Sequence, residues 1–468
     1  MASFVKHHAS EGVLLAPVAL ASVVPPTQHS VQYGGNYLYD QYQMNEVASA
    51  VTAGQYMSFT CNPSFDAMTD VGESFIKIVG YYTLAALKGI PTDGAAVTTP
   101  MFLAAAFAND VTFTLNGNPI TPSQGFVQPY VNAVWTALNM SYTDRMCGQV
   151  TEGYILDLPY MNNMAEVQNV ATADSQQLLR QKAYMSATAG NSGQRPFSLT
   201  LRLKNYGLTV DGGAWLPPNT AMQIRMRRAP DEAMRQGPSA QISATSPVFT
   251  LNSATCYLAR KVLTPAARMS LDAAWRETTL KVPFQRARTS TTWFSATDTN
   301  INIPNALAGP TPRTVVAIMV PQKSINCNGD GTEALMQMSG FAFNTSLSDV
   351  SLTFGGGRGW PVQPLSTEPA VSFVAGWAGG SFDMSQMYQM YRAAANENPF
   401  LTDLDFGNVA MLVFPIGTQK DAWDTSAEVS CSFRATLKYQ PGYDYAVILM
   451  SFSDTIIEFT KEGQVQVL

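Results

Sequence analysis

The chain has 468 residues, more than one hydrophobic core usually serves, so two domains of ordinary size are the first expectation. Charged residues make up only 13% of the chain, against roughly 25% in a typical soluble domain. A polar but weakly charged surface can be buried against a neighbouring subunit without desolvating many ions. The formal net charge of -6 argues against a protein that wraps DNA or RNA electrostatically, because that role needs clustered Lys and Arg.

An apolar run, Val13–Val24, lies near the start of the chain. It resembles the apolar region of a signal peptide, but it contains Pro17, ends at Pro25-Pro26 and is too short to span a bilayer. We therefore interpret residues 1–50 as an N-terminal arm and lead-in, and we expect residues 1 to about 30 to serve assembly and to be unnecessary for folding. We expect the run to bind a surface outside its own domain. The alternative is that the arm packs beneath its own domain.

Strand signals dominate the rest of the chain as short runs rich in β-branched and aromatic residues, bounded by Gly, Pro, Asn and Asp. Many such runs with few helices between them predict antiparallel sandwiches. The predicted strands are Tyr56–Cys61, Phe75–Tyr82, Val111–Leu115, Phe197–Leu203, Ala221–Arg227, Thr255–Leu263, Thr314–Val320, Val350–Phe354, Ala410–Phe414, Val429–Leu437, Tyr445–Phe452 and Thr455–Phe459.

Helical periodicity is confined to a few segments. Apolar residues recur at helical spacing in Tyr130–Leu138 and in Met384–Tyr391, and such stripes usually pack against a core. Arg268–Arg276 can form a short helix with Leu271 and Trp275 on one side. These segments predict short helices between the strands of a β protein.

A faint duplication links the two halves of the chain. The segments Val111–Gly117 and Val350–Gly356 are both strands that end in a glycine turn, and each is followed by one of the two aromatic helices. Each helix is followed in turn by a later apolar strand, which we take to be Ala221–Arg227 in the first half and Ala410–Phe414 in the second. The repeated order predicts two homologous sandwiches.

The boundary between the sandwiches is predicted near Thr264–Thr279. This divides the chain into the arm, a first sandwich at 51–265, a linker at 266–279 and a second sandwich at 280–468. Pro283 is then expected at the start of a strand or on a sheet edge, where its missing N–H does no harm. The longest strand-poor stretch, Thr151–Arg195, is expected to make functional contacts.

The sequence contains few of the residue combinations that catalysis requires. All three histidines, His7, His8 and His29, lie in the arm, which removes Ser-His and Cys-His pairs and His-ligated metal sites from both sandwiches. The five cysteines have no Cys-x-x-Cys spacing and are interpreted as ordinary thiols. They are Cys61, Cys147, Cys256, Cys327 and Cys431. We predict no catalytic, cofactor-binding or metal-binding residues.

Two loops partly resemble ligand-binding motifs. Gly355–Gly359 has the glycine content of a phosphate loop but lacks the following Lys-Ser or Lys-Thr, so we interpret it as a tight turn. Asn326–Gly331 alternates oxygen-bearing side chains as a calcium loop does, but Gln337 occupies the position where a bidentate Glu is needed. A loop that joins strands explains it better.

Arginines cluster in one predicted strand. On a strand Arg225 and Arg227 share a face opposite Ile224, and Arg228 approaches the acidic pair that begins at Asp231. We interpret the cluster as solvated or subunit-facing ion pairs, with a nucleic-acid patch as the alternative.

Several segments carry a family resemblance through their order along most of the chain. They are Val24–Ser30 with Pro-Thr-Gln, Val111–Gly117 with the Tyr130–Leu138 helix, Leu216–Thr220 leading into Gln223–Arg228, Ala254–Pro265, Pro312–Ile318 and the terminal Ile456–Phe459. Together they resemble the double-jelly-roll major capsid proteins of the Polinton, adomavirus and adenovirus-hexon-like lineage of double-stranded DNA viruses.

The resemblance implies an all-β fold of two tandem antiparallel eight-stranded jelly rolls with a few short helices in loops. It implies a structural protein and not an enzyme: a major capsid protein whose homotrimers form pseudo-hexagonal capsomers that tile an icosahedral shell. Implied partners are neighbouring capsomers, with penton and minor capsid proteins reached through the N-terminal arm, and an internal membrane as a further contact. Sequence-specific nucleic-acid binding and cofactors are not expected. The implied location is the virion, after assembly inside the host cell.

Two other interpretations stay open at this point. A jelly-roll minor capsid, penton or spike protein with receptor or glycan binding usually needs only one sandwich. A secreted carbohydrate-active enzyme would need a carboxylate pair in a cleft and a true signal peptide.

Overall fold

The computed structural model of the protein describes residues 13–14, 38–63, 65, 67–83, 98–121, 123–156, 179–185, 196–207, 215–235, 247–322, 325, 347–354, 358–365, 385–395, 397–402, 411–416, 428–437, 440–441, 443–460 and 462–467. Within these ranges most of the regular structure is β, arranged in four sheets. Strands such as Met222–Arg228 alternate buried and exposed side chains, as the period-two pattern of apolar residues predicts.

The first half of the chain forms a sandwich of two four-stranded sheets, preceded by the two-residue strand β1 (Val13–Leu14). One sheet has the order β2-β10-β4-β7 and the other β3-β9-β5-β6, and the short strand β8 pairs with β4. The strands are β2 (Leu38–Gln43), β3 (Tyr56–Cys61), β4 (Ala67–Thr83), β5 (Ala108–Leu115), β6 (Asn118–Pro119), β7 (Pro196–Arg202), β8 (Trp215–Leu216), β9 (Met222–Arg228) and β10 (Val248–Val262).

The second half forms another sandwich of two four-stranded sheets. One has the order β11-β18-β13-β16 and the other β12-β17-β14-β15, and the short β19 pairs with β18. The strands are β11 (Leu280–Phe294), β12 (Asn300–Pro310), β13 (Thr314–Pro321), β14 (Leu347–Phe354), β15 (Arg358–Leu365), β16 (Leu412–Pro415), β17 (Glu428–Leu437), β18 (Tyr445–Phe459) and β19 (Val465–Val467).

The two sandwiches have the same topology. Counted from the first strand of each roll and leaving out the short β8 and β19, one sheet has the order first, eighth, third, sixth and the other second, seventh, fourth, fifth. This is the strand order of a jelly roll, and the pairings within both sandwiches are antiparallel. The predicted fold class, two tandem eight-stranded jelly rolls, is therefore confirmed. We refer to the first roll and the second roll, and in each to the 1-8-3-6 sheet and the 2-7-4-5 sheet.

Short helices connect the strands. They are α1 (Leu103–Phe107), α2 (Gln128–Asn139), α3 (Tyr142–Gly148), α4 (Pro265–Glu277) and α5 (Ser385–Ala394). The helix α4 follows the last strand of the first roll and begins at a proline, and the Thr264 hydroxyl caps it by accepting a hydrogen bond from the Ala267 N–H at 3.3 Å. The three segments predicted to be helical correspond to α2, α4 and α5.

The predicted duplication is correct for its first strand and for its helix, and wrong for the later apolar strand. β5 and β14 are both fourth strands, and α2 and α5 both lie between the fifth and sixth strands of their rolls. The strand Met222–Arg228, however, is the seventh of the first roll, whereas Leu412–Pro415 is the sixth of the second. The equivalent of Leu412–Pro415 is Pro196–Arg202. A local apolar pattern does not reveal a strand's rank in a sheet, because rank is set by pairing with distant segments.

Several strands were missed in the sequence. β11 and β12 are rich in Thr, Asn and Arg and lack the apolar runs used to find the others. Pro283 lies in β11, which borders its sheet apart from a two-residue pairing with β1, as expected for a proline in a strand. The predicted strands Tyr445–Phe452 and Thr455–Phe459 form the single strand β18, which is buried along nearly its whole length.

The apolar run of the N-terminal arm contacts its own chain. Val13 pairs with Leu280, and Leu14 pairs with Lys281, as a short parallel extension of β11. At these two residues the structure therefore favours the alternative, contact within the chain, over the expectation that the run binds an external surface. The edge of β11 offers unpaired backbone N–H and C=O groups, which any nearby extended segment can satisfy.

Candidate functional site

The two rolls contact each other over an extensive interface, which we call the joint. The helix α2 belongs to the first roll, yet Gln128 through Leu138 are all buried, on every side of the helix. A helix buried all round must pack between two bodies. Trp135 lies edge-on against Phe452 of the second roll, with ring centroids 5.1 Å apart.

Polar contacts fix the geometry of this joint. The Tyr391 hydroxyl on α5 donates to the carbonyl oxygen of Ala137 on α2 at 2.7 Å and accepts from the Leu401 N–H at 3.1 Å. The Gln124 side chain donates to the Ala287 carbonyl at 3.0 Å and accepts from the Thr289 hydroxyl at 2.8 Å. Directional bonds of this kind define one relative orientation, whereas apolar contacts alone permit sliding.

A second set of contacts lies at one end of the joint. The Arg145 guanidinium donates to the Phe400 carbonyl at 3.1 Å and lies 5.8 Å from the centre of that ring. The Phe400 ring also packs against Phe102 and Tyr154 of the first roll, at centroid distances of 5.8 and 5.3 Å. Phe400 therefore anchors a loop of the second roll in an aromatic pocket of the first.

The hydrophobic cores are shared across the joint in both directions. α2, together with Phe102 and Tyr154, is part of the apolar cluster that fills the second roll. In return, Leu280, Phe284 and Phe459 of the second roll are part of the cluster that fills the first. Neither sandwich buries its apolar residues without the other, so the two rolls form one block.

An ion-pair cluster supports the first roll beside the joint. Arg202 donates to the Glu152 carboxylate at 2.7 Å and to Asp144 at 3.3 Å. Burial raises the pKa of Glu152, and Arg202 opposes this shift. Burial also acts to raise the pKa of Asp144, but Lys204 and hydrogen bonds from Ser141 outweigh it and leave that pKa lowered.

The predicted arginine cluster separates into two environments. Arg228 is buried, where it pairs with Asp231 and donates to the Phe249 carbonyl at 2.7 Å. Arg225 and Arg227 are exposed on the opposite face, and Arg225 lies 3.9 Å from the centre of the Tyr56 ring. The alternation of the strand was predicted correctly. The prediction of a single ion-pair cluster was wrong, because the alternation of the strand turns Arg225 and Arg227 away from Asp231.

The other chemistry considered in the sequence gives no site among the described residues. The described residues do not include the three histidines, His7, His8 and His29, nor Cys327 or the Asn326–Gly331 loop. Arg358 begins a strand that pairs antiparallel with β14, so the glycine run at 355–359 is not followed by a helix as a phosphate loop is.

Cysteines in the described ranges are free thiols, and Cys147 is exposed. Cys61 and Cys256 are buried in the first roll, and a hydrogen bond between them, with burial, raises the pKa of Cys256. The same ranges contain no group of three or more His, Cys, Asp or Glu side chains arranged to hold a metal ion. They also contain no helix of the length and hydrophobicity that a bilayer crossing requires.

No family model matches the sequence, and no curated protein matches it. Solved structures do match, over almost the whole chain. The mavirus major capsid protein aligns with a TM-score of 0.54 and 9% identity, covering 94% of this chain and 91% of that one. A chain of the Sputnik virophage, solved by cryo-EM, aligns with a TM-score of 0.57 and 12% identity, covering 94% and 90%.

The Faustovirus major capsid protein aligns with a TM-score of 0.50 and 9% identity, covering 92% of this chain and 91% of that one. The chain has the double-jelly-roll fold of viral major capsid proteins. The alignments span both rolls, so the likeness includes the tandem arrangement and is not limited to one sandwich.

Sequence reasoning did not identify the joint. Tyr130–Leu138 was predicted as a core-packing stripe of one sandwich, and Phe400 was not singled out. The sequence carries no signal for the joint, because Gln128, Asn132 and Thr136 form a polar stripe on one side of α2, which is typical of a helix that covers a single core.

Proposed function

We propose that this chain is the major capsid protein of a double-stranded DNA virus. Its homotrimers form pseudo-hexagonal capsomers, and the capsomers tile an icosahedral shell. The observation that carries the proposal is the shared hydrophobic core at the joint between two jelly rolls of identical topology. Two such rolls, repeated three times around an axis, give a nearly six-sided block that can pack in a continuous layer.

The same proposal assigns no enzyme activity, no cofactor and no catalytic residues to the chain. The structures that it resembles include proteins described as major capsid proteins, from mavirus and Faustovirus. The low content of charged residues fits subunits that bury much of their surface against neighbours. The acidic net charge fits a shell protein without sequence-specific nucleic-acid binding.

The proposed location is the virion shell, reached after assembly inside the host cell. The proposed partners are two further copies in the trimer and the neighbouring capsomers. The N-terminal arm is proposed to bind penton and minor capsid proteins. A further proposed role of the arm is contact with an internal membrane. For the domains we propose an arm, a first roll ending near residue 265, a linker at 266–279 and a second roll from 280. We propose that the first roll begins at Leu38–Gln43 and not at residue 51, which is supported by the pairing of this strand with β10.

The test is to purify the full-length protein and to examine it by native mass spectrometry and electron microscopy. The proposal predicts a stable homotrimer with a hexagonal outline, and shells or sheets of such particles at higher concentration. A stable monomer at micromolar concentration would overturn the proposal. Slender fibres or spikes would favour the spike-protein alternative.

A further inference from the structure

A cavity of about 330 Å³ lies at the linker helix α4, beside loops of the first roll and the turn that follows β18. Arg268, Asp272 and Trp275 line it from one side of the helix, because they recur at helical spacing. The turn after β18 contributes Glu462. The volume lies in the range that is typical of ligand-binding pockets.

The cavity combines rings with exposed charged groups. Phe65 is 70% exposed, and the Arg268 guanidinium lies 5.6 Å from the centre of its ring. Pro218 adds a further ring to the lining. Asp272 and Glu462 are exposed and carry the charge opposite to that of Arg268. A pocket of this composition suits an uncharged, apolar segment that offers a few polar groups.

Trp275 brings an unused hydrogen-bond donor to the cavity. Its indole N–H is buried and has no hydrogen-bond partner among the residues that the structure describes. A buried donor without a partner is unfavourable, because it has lost its bond to water. A carbonyl oxygen of a bound segment would satisfy this N–H after a small turn of the ring.

Two anchor points of the N-terminal arm lie close to the walls of the cavity. Val13 pairs with Leu280, and Leu280 pairs on its other side with Phe459, which lines the cavity. Neighbouring strands lie about 4.8 Å apart, so Val13 is about 10 Å from Phe459. Leu38, where the arm enters the first roll, pairs with Arg260 shortly before α4 begins.

The arm between these anchors, residues 15–37, lies outside the described residues and contains two consecutive prolines. Pro25 stands 11 residues after Leu14, and Pro26 stands 12 residues before Leu38. An extended chain covers about 3.5 Å per residue, so each anchor allows the prolines a reach of about 40 Å. The prolines can therefore reach the cavity of their own chain.

We infer that Pro25-Pro26, with the adjoining Val24 and Thr27, binds in this cavity of its own chain. Consecutive prolines already hold an extended polyproline conformation, so binding orders little further backbone. They have no N–H groups to satisfy and offer carbonyl acceptors to the unused donor of Trp275. Aromatic-lined grooves recognise proline-rich segments in many proteins by the same chemistry. This contact does not require the proposed trimer, so it can fail while the capsid proposal stands.

Cross-linking in the full-length protein tests the contact. Cys147→Ser and Cys327→Ser leave only buried native cysteines. Thr27→Cys in the arm is then paired with Glu462→Cys at the cavity, and a short bismaleimide should join them within one chain. The matched control pairs Thr27→Cys with Asn302→Cys, which is exposed on the 2-7-4-5 sheet of the second roll and should not be joined. Peptide mass spectrometry identifies the link, and a denaturing gel separates links within a chain from links between chains.

Protection of the Thr27→Cys thiol measures how firmly the segment binds. A bulky maleimide should modify this thiol slowly, because it reacts only while the segment is released. Phe65→Ala removes an exposed ring from the cavity and should raise the modification rate about fivefold or more. Met269→Ala is the matched control and should leave the rate unchanged, because Met269 is exposed on α4 but does not line the cavity.

Each outcome decides for or against the contact. A link to Glu462→Cys within one chain, together with faster modification in Phe65→Ala but not in Met269→Ala, supports it. Links found only between chains would overturn it and would show that the cavity holds the arm of a neighbour. Equal linking to Asn302→Cys, or a modification rate that neither alanine variant changes, would overturn it and would show that the arm does not bind there. A capsid trimer is compatible with all of these results.

Discussion

Trp135 makes the joint depend on one large side chain. Its ring is buried and lies edge-on against Phe452, so it fills space between two bodies. Residues in such positions contribute through cavity formation as well as through transfer from water. Phe126, by contrast, stacks on Trp293 at the surface of the same joint, and 53% of its surface is exposed.

Trp135→Ala is expected to lower the free energy of unfolding by about 3–5 kcal/mol, because the surrounding rolls cannot collapse into the cavity. The matched control Phe126→Ala should cost about 1 kcal/mol or less, since its ring is largely solvated. Urea unfolding followed by circular dichroism measures both. Equal effects from the two substitutions would contradict the assignment of Trp135 as the anchor of the joint.

Glu152 makes the stability of the first roll depend on pH. Burial raises its pKa in the folded state, and Arg202 opposes the shift. A carboxyl group whose folded pKa is raised favours the folded state most when it is protonated. Its contribution is therefore complete below the unfolded pKa of about 4.3 and is lost as the pH rises through the folded pKa.

The stability cost of Glu152→Gln, relative to wild type, should consequently grow as the pH is lowered from 7 toward 4. The introduced amide does not titrate, whereas wild-type Glu152 gains its proton over this window. Urea midpoints of both proteins across the pH range give the difference directly. Both proteins contain the neighbouring charges of Asp144, Arg202 and Lys204. The contribution of these charges therefore largely cancels in the difference in stability between the two proteins. A cost that shrinks as the pH falls would refute the raised pKa.

At the scale of elements, the N-terminal arm is held to the body by a short contact. Two residues of β1 pair with the edge of β11, and the arm is joined to the first roll through β2. Two pairs at a sheet edge contribute little to the stability of a chain of this size. The pairing at Val13–Leu14 therefore adds little by itself to the stability of the folded chain.

Removal of residues 1–30 should leave soluble trimers with a slightly lower melting temperature, and it should prevent or misdirect shell formation. Removal of residues 1–10 is the matched control, because it keeps β1, and it should leave the melting temperature unchanged. Differential scanning calorimetry and electron microscopy give the two readouts. Aggregation of the shorter chain, or a loss of many degrees, would mean that the arm belongs to the folded core.

At the scale of the whole molecule, the shared cores predict that the rolls do not fold separately. The second roll expressed alone as residues 280–468 loses α2 and exposes the face around Phe452, so it should aggregate. Co-expression with residues 1–279 should give a soluble complex of the two fragments. Circular dichroism and size-exclusion chromatography measure this. Two soluble, folded and independent fragments would show that the joint is a contact between autonomous domains.

Local patterns in the sequence were sufficient to predict secondary structure wherever those patterns were strong. Met222–Arg228 alternates apolar and charged residues, so its faces followed from the period of a strand. The helices α2, α4 and α5 followed from their apolar spacing. The resemblance in the order of segments led to the correct fold class. β12 escaped prediction and β11 was anticipated only through Pro283, because polar strands at the border of a sheet lack the apolar signal.

Which distant segments of the chain meet could not be predicted from local patterns and is seen in the folded structure. The equivalence of Pro196–Arg202 with Leu412–Pro415 depends on pairing across each sheet, which no local pattern carries. The joint depends on Trp135 reaching Phe452, which lies in the other half of the chain. Apolar periodicity indicates that one face of a helix or strand must be buried. It does not indicate which segment covers that face, because the hydrophobic effect is non-directional. The partner of each buried face is set by the packing of the whole chain.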